Sequence, residues 1–185
     1  MALTTVQSGM GGIGAVTPGT SGNVLTSNGT AWTSSAPTLP AGTVKQVVSV
    51  TSTSQATYTR ATYMTPWSLT ITPSSTSSRI IVQLNMSVSA NTASVIGIIV
   101  YRDATALQQG TGGSVTNATW IPAMNIAGGD LIQATWFLVD SPATTSPVTY
   151  SFMCAIKANT KYVNRRGADV SFVGSSMDML TEIAG

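Results

Sequence analysis

An alternation of apolar and polar residues along residues 78–89, broken only at Ile81, is the feature that most limits how this chain can fold. Every second side chain there is apolar: Ile80, Val82, Leu84, Met86 and Val88. A period of two is typical of a β-strand with one buried face. Residues 148–156 alternate in the same way, while Ser, Thr, Gly and Pro interrupt every window of helical period. The sequence therefore predicts an all-β protein.

Two further segments, residues 95–102 and 131–139, are apolar on both faces. Strands buried on both faces are usual in parallel sheets covered by helices, but no amphipathic helix is predicted here. We therefore expect an antiparallel β-sandwich, or jelly roll, whose outer face is covered by another subunit. The residues predicted to form this subunit interface are Ile96, Ile98, Val100, Ile132, Trp136 and Leu138.

Shorter strand-like runs separated by turn signals complete the pattern of a sandwich. We predict strands over residues 43–51, 57–62, 67–72, 114–121 and 177–183. The Gly-rich and polar segments 108–116 and 159–169 are expected to be exposed loops.

Charge divides the chain into two regions. Residues 1–44 carry no ionisable side chain, and all fourteen charges lie in residues 45–185. Pro37 and Pro40 stiffen the segment between the two regions. We predict an extended N-terminal arm over residues 1–40, which anchors or assembles the protein, and a β-sandwich oligomerisation domain over residues 41–185. The arm has too few large apolar residues to build a core alone, so we expect it to pack on something else.

A β-hairpin is predicted within the arm. The pair Asn28-Gly29 lies between two short strand-like runs, and a type I′ turn favours this dipeptide because both central residues need positive φ. A two-residue loop pairs Leu25 with Trp32 on one face, where the two side chains can pack across the strands. Leu25, Asn28, Gly29 and Trp32 are therefore the predicted assembly residues of the arm.

Composition excludes several classes of function. Charged residues make up 8% of the chain and the net charge is +2, which provides no basic surface for nucleic acid. No run of about 18 apolar residues is present, so no membrane-spanning segment is expected. The chain has no His and a single Cys, which removes nucleophile–His pairs, His or Cys-rich metal sites and an internal disulfide. We expect no catalytic residue, no metal and no cofactor.

The scarce charges leave two interpretations of one cluster. Arg165 and Arg166 near Asp169, together with Asp178 and Glu182 on the last predicted strand, form ion pairs within or between subunits, or they lie in a solvated loop of little energetic weight. Two carboxylates about 5–9 Å apart would suffice for glycoside hydrolysis, so a glycan depolymerase stays open as a minor alternative.

Five segments, in order, resemble parts of virion proteins of tailed bacteriophages. The first is a short element of tail-fibre and other virion proteins, and the later ones resemble a β-rich domain of phage structural proteins. The segments are residues 18–33 (PGTSGNVLTSNGTAWT), 69–82 (LTITPSSTSSRIIV), 140–150 (DSPATTSPVTY), 164–167 (NRRG) and 180–183 (LTEI). Such domains are similar to trimeric jelly rolls of the tumour-necrosis-factor type.

The resemblance implies a non-enzymatic structural component of the virion. It implies a homotrimeric short fibre or spike, on tail or head, that contacts other virion proteins and host surface glycan. The chain is short and lacks the repeated shaft of long fibres. A capsid decoration (cement) protein that stabilises the head is therefore the alternative placement.

Overall fold

Antiparallel strands form the regular structure of the chain. The computed structural model describes residues 20–27, 30–59, 67–93, 96–107, 129–156 and 160–185. None of these residues is helical. The strands are β1 Val24–Ser27, β2 Trp32–Ser35, β3 Val44–Ser52, β4 Ala56–Thr59, β5 Ser68–Ile71, β6 Arg79–Ala90, β7 Ile96–Arg102, β8 Thr105–Leu107, β9 Ile132–Asp140, β10 Val148–Ile156, β11 Thr160–Val163 and β12 Ser176–Ile183.

The chain divides into two compact units, Met1–Pro40 and Ala41–Gly185. In the first unit, β1 and β2 form an antiparallel hairpin in which Ser27 pairs with Trp32 and Leu25 with Ser34. The predicted pairing of Leu25 with Trp32 is therefore wrong. The connection spans residues 28–31, two residues longer than the predicted turn, so the register shifts by two. A shift of two keeps Leu25 and Trp32 on the same face, because side chains alternate with a period of two.

Two sheets build the second unit. One has the strand order β5-β10-β7-β8, and the other has the order β3-β12-β6-β11-β4, with β9 paired to β6. The central strand β6 pairs with β9 over Ile80–Val88. On its other side β6 pairs first with β12, at residues 79–83, and then with β11, at residues 88–90. The all-β antiparallel sandwich predicted from the alternation is confirmed.

The core lies between the two sheets. All five alternating side chains of β6 are fully buried, from Ile80 to Val88. They pack against the inward side chains of the other sheet, among them Ile71, Tyr150 and Phe152. The alternation in the sequence therefore marks the inward face of the six-stranded sheet correctly.

Some predicted segments differ from the structure. Residues 159–169 were expected to form an exposed loop, but Thr160–Val163 form β11, and Lys161, Val163 and Asn164 are buried. This prediction is wrong because the strand has only four residues, too few to show a period. The predicted strand at residues 114–121 and the predicted loop at residues 108–116 lie outside the described residues.

Candidate functional site

The residues predicted to form a subunit interface divide by their burial. Val100 is 0% exposed and Leu138 is 4% exposed within the single chain, and both belong to the core. Their assignment to an interface is therefore wrong, because a side chain buried in its own chain cannot contact a partner. Ile132 and Trp136 are half-buried and pack against the core. The side chains of Ile96 and Ile98 lie outside what the structure describes.

The opposite face of β9 is the exposed one. Phe137 is 71% exposed and Val139 is 40% exposed, although each follows a residue that points into the core. On β7 the situation differs, since Ile99 and Val100 occupy opposite faces of the strand and are both buried within the chain. An apolar run on both faces of a strand therefore has two different causes in this protein.

Apolar side chains continue from β9 across the outer side of the six-stranded sheet. One row of paired residues runs Val47, Thr181, Ile81, Val139, and the next runs Ser49, Met179, Gln83, Phe137. A third row contains Val44, Ile183 and Arg79. We call the apolar residues of these rows the outer apolar face: Val44, Val47, Ile81, Phe137, Val139, Met179 and Ile183.

The outer apolar face is almost without charge. Arg79 is the one ionisable residue in the three rows. Val44 and Val47 are each more than half exposed, while Ile81, Met179 and Ile183 are half-buried. Exposed apolar patches of this kind, on adjacent strands, mark interaction surfaces.

The chain's own loop covers the other half of the same sheet face. Ser87 and Ser89 point outward from β6 like Ile81, but both are buried. The Ser89 hydroxyl donates to the carbonyl of Arg165 at 2.9 Å, and the Ser87 hydroxyl donates to the carbonyl of Ser175 at 2.7 Å. Residues 165–175 therefore lie over the second half of β6, and the outer apolar face begins where this cover ends.

The arginines at the start of this loop hold it in place. Arg166 forms ion pairs with Asp130 at 3.3 Å and with Asp169 at 3.4 Å. It also lies over the ring of Phe172, and Arg165 lies 4.6 Å from the centre of the Tyr162 ring. The expected cluster is therefore present in part: Arg166 pairs with Asp169, whereas Asp178 and Glu182 do not pair with these arginines. Asp178 and Glu182 point inward from β12, away from the surface on which a solvated arginine lies.

Both inward carboxylates contact uncharged groups. Asp178 is fully buried, and its Oδ1 accepts a hydrogen bond from the backbone amide of Asn85 at 3.3 Å. Burial raises the pKa of Asp178 to about 7, and this hydrogen bond opposes the rise. Glu182 is also fully buried. Its burial favours a higher pKa, but the hydrogen-bond donors around it, the Ser78 hydroxyl, Gln46 and Ser74, outweigh burial and lower the pKa to about 2.

Another carboxylate joins the two sheets. The Nη1 atom of Arg102 on β7 donates hydrogen bonds to both carboxylate oxygens of Asp140 at the end of β9, at 3.0 Å to Oδ1 and 2.9 Å to Oδ2. The Tyr150 hydroxyl on β10 donates to the same carboxylate at 2.6 Å. Burial and this hydrogen bond raise the pKa of Tyr150 above its ordinary value. Asp140 is therefore occupied by structural contacts.

The described residues offer no group of three or more His, Cys, Asp or Glu side chains that could hold a metal ion. Within the same part of the chain, no helix is long and apolar enough to cross a membrane. Of the predicted arm residues, Leu25 and Trp32 are each a little over 40% exposed on the hairpin. Asn28 and Gly29 lie outside the described residues.

Comparison with known proteins identifies a shared fold. The sequence matches no protein-family model and no curated protein. The structure is similar to the VP2 subviral particle of infectious bursal disease virus, with a TM-score of 0.51 and 10% identity, over 85% of this chain and 36% of that one. The structure of the Gx strain of the same virus matches with a TM-score of 0.46 and 14% identity, over 85% of this chain and 35% of that one.

The sandwich is similar in fold to part of a viral capsid protein. At 10% identity the likeness extends to the fold alone, and this chain spans little more than a third of the length of those two capsid chains. The shared part is a β-sandwich, in agreement with the strand order described above.

Proposed function

We propose that this protein is a non-enzymatic structural component of a tailed-bacteriophage virion. In this proposal, copies assemble into a homotrimeric short fibre or spike on tail or head, and residues 41–185 project as β-sandwiches that contact the host surface. One observation carries the proposal: a sandwich similar in fold to part of a viral capsid protein has an outer apolar face that is almost uncharged. The resemblance of residues 18–33 to phage virion proteins supports the placement in a tailed phage.

The division of labour between the two units is part of the proposal. The first unit, Met1–Pro40, carries no charge, and its hairpin exposes Leu25 and Trp32. An isolated two-stranded hairpin is marginal in water, so it needs a neighbouring surface. We assign this neighbour to another virion protein or to the same segment of another copy.

Purified particles of the virus that encodes the chain provide the test. Electron cryo-microscopy of intact particles is expected to show three copies of the sandwich around a three-fold axis at the tail or the head. Added purified protein is expected to compete for host cells and to slow adsorption of the phage, and predigestion of the host glycans is expected to remove this competition. Absence of the chain from the particles, measured by mass spectrometry, would overturn the proposal.

A capsid decoration protein is the second candidate. The chain carries no repeated shaft, which a decoration protein does not need. In this role the protein binds empty capsids at a fixed stoichiometry, and capsids that lack it break at a lower temperature. It then leaves adsorption unchanged, so the competition assay separates the two roles.

A further inference from the structure

We infer that the outer apolar face is the surface through which a second copy of this chain binds. The inference rests on the proposed function, in which copies of the chain assemble. It adds to that function by naming the face of the sandwich through which they assemble. It replaces the earlier expectation for Val100 and Leu138, whose side chains lie inside the core.

The position of the face on the sheet supports the inference. β6 has one continuous outer side, which carries Arg79, Ile81, Gln83 and Asn85 in its first half and Ser87 and Ser89 in its second half. The chain covers the second half with residues 165–175 and leaves the first half exposed. The covered half therefore holds buried hydroxyls, whereas the uncovered half places Ile81 beside the apolar side chains of the adjacent strands, among them Phe137 and Val139.

The near absence of charge on the outer apolar face indicates what kind of partner binds there. A partner with a charged surface would lose hydration at its ionised groups and find few charges to pair with, Arg79 in these rows and Lys45 next to Val44 on β3. An apolar and uncharged face suits these rows, and each copy of the chain supplies one. The low charge of the whole chain, 8% of its residues, also limits repulsion between copies.

Phe137 is the residue on which the test is built. Among the residues that the structure describes it is the most exposed large apolar side chain, at 71%, so a polar residue at this position is compatible with the folded chain. A carboxylate there would be buried without a partner when two copies meet. We expect Phe137→Asp to weaken self-association of the full chain by about 100-fold or more.

Gln83 pairs with Phe137 in the same row and is itself exposed. Gln83→Glu is a second variant that places a charge on the face with little change in volume. Val170 provides the matched control, because it is 64% exposed but lies on the loop that covers the second half of β6. Val170→Asp is expected to associate like the unchanged protein.

Sedimentation equilibrium of the four full-length proteins, from about 1 to 100 µM, measures the association. Self-association of the unchanged protein and of Val170→Asp, with loss in Phe137→Asp and weakening in Gln83→Glu, supports the inference. An unchanged protein that stays monomeric, a Phe137→Asp variant that associates normally, or an equal loss in Val170→Asp overturns it. Circular dichroism of each variant shows whether it is folded.

The same experiment separates this inference from the proposed function. A chain that is present in virions but monomeric in solution at all concentrations leaves the function standing and overturns the inference. A chain that associates through this face but is absent from virions has the opposite consequence. If Phe137→Asp leaves the molar mass unchanged but exposes residues 1–40 to a non-specific protease, the arm of the same chain is the occupant, and the inference is wrong.

Discussion

Asp178 and Glu182 lie on the same inward face of β12 with Leu180 between them, yet their pKa values shift in opposite directions. Both side chains are fully buried. The pKa of Asp178 is raised to about 7, and that of Glu182 is lowered to about 2. Burial favours the neutral form of both, so the difference comes from the hydrogen bonds that each carboxylate accepts.

Glu182 accepts bonds on both oxygens. Gln46 donates to Oε2, while the amide and the hydroxyl of Ser74 donate to Oε1 at 2.8 and 2.7 Å. Asp178 accepts one backbone bond, and its Oδ2 has no hydrogen-bond partner among the described residues. Glu182 therefore links both β3 and the segment after β5 to β12 through hydrogen bonds. Ionised Asp178, in contrast, lowers the stability of the folded protein.

The first prediction concerns the stability of the protein between pH 4 and pH 7. In this range the folded protein keeps the proton on Asp178, while the unfolded chain, with a pKa of 3.8, has lost it. The free energy of unfolding therefore falls as the pH rises, in total by on the order of 4 kcal/mol, and is flat above about pH 7. Asp178→Asn is expected to remove this slope and to be more stable than the unchanged protein at pH 8.

Urea unfolding at a series of pH values measures the effect. Asp169→Asn is the matched control, because Asp169 is a surface carboxylate in an ion pair with Arg166. This control is expected to keep the slope. A slope that survives in Asp178→Asn would contradict the assignment of the raised pKa to this residue.

The second prediction concerns the contribution of Glu182 to the stability of the protein at acidic pH. The folded pKa of about 2 lies below the unfolded value of 4.5, so the ionised form stabilises the fold above pH 4.5. This stability is lost as the pH falls from 4.5 towards 2. Glu182→Gln is expected to be less stable than the unchanged protein at pH 7 by about 2–3 kcal/mol, because one acceptor oxygen becomes a donor facing Gln46 or Ser74.

Unfolding of Glu182→Gln between pH 2 and pH 5 completes this test. The variant is expected to have a flatter profile than the unchanged protein over that interval. Equal stability of the two proteins at pH 7 would show that the hydrogen bonds to Glu182 contribute little.

The alternation of β6 shows what the sequence can predict. Its apolar positions are the buried ones, since a period of two leaves one face for the core. In β9 and β7 both faces are apolar, and the pattern cannot distinguish the inner face from the outer one. The side chains of Leu138 and Val139 differ in burial because of the sheet opposite, which a local pattern does not contain.

The inward carboxylates show a second limit. Side chains along residues 176–183 point alternately to the two faces of the strand. Asp178 and Glu182 are four residues apart and so lie on one face, as their positions on β12 confirm. Ion pairing with Arg165 and Arg166 was the natural expectation for the few charges of the chain. The groups that hold Glu182 are a distant Gln46 and Ser74, and no short-range signal in the sequence points to such neutral partners.

The third prediction compares two neighbouring residues of β9. Leu138 is 4% exposed and Val139 is 40% exposed. Leu138→Ala leaves a cavity in the core and is expected to lower the free energy of unfolding by about 2–5 kcal/mol. Val139→Ala is expected to cost less than about 1 kcal/mol in the unfolding of the sandwich.

Thermal and urea unfolding of the two variants at one protein concentration measures this difference. Equal destabilisation by both substitutions would mean that the two faces of β9 are buried alike. The fixed concentration matters because association between copies adds to the apparent stability.

The fourth prediction concerns the contact between Gly174 and Ser87, by which the covering loop approaches β6. A Cβ atom on residue 174 would lie 2.6 Å from the Ser87 Oγ and 2.7 Å from its Cβ, which is closer than atoms pack. Ser87 is buried and cannot move away freely. Gly174→Ala is therefore expected to lower the free energy of unfolding by about 1–3 kcal/mol, as overpacking in a tight site does.

A double-mutant cycle with Ser87→Gly identifies the cause of this loss. Ser87→Gly removes both atoms that the new methyl group would meet, together with the hydrogen bond from the Ser87 hydroxyl to the Ser175 carbonyl. In this background Gly174→Ala is expected to cost less than about 1 kcal/mol, so the two substitutions couple favourably. Additive losses in urea unfolding would instead assign the cost of Gly174→Ala to the contact with the Leu131 side chain, whose Cδ2 would lie 3.1 Å from the new Cβ.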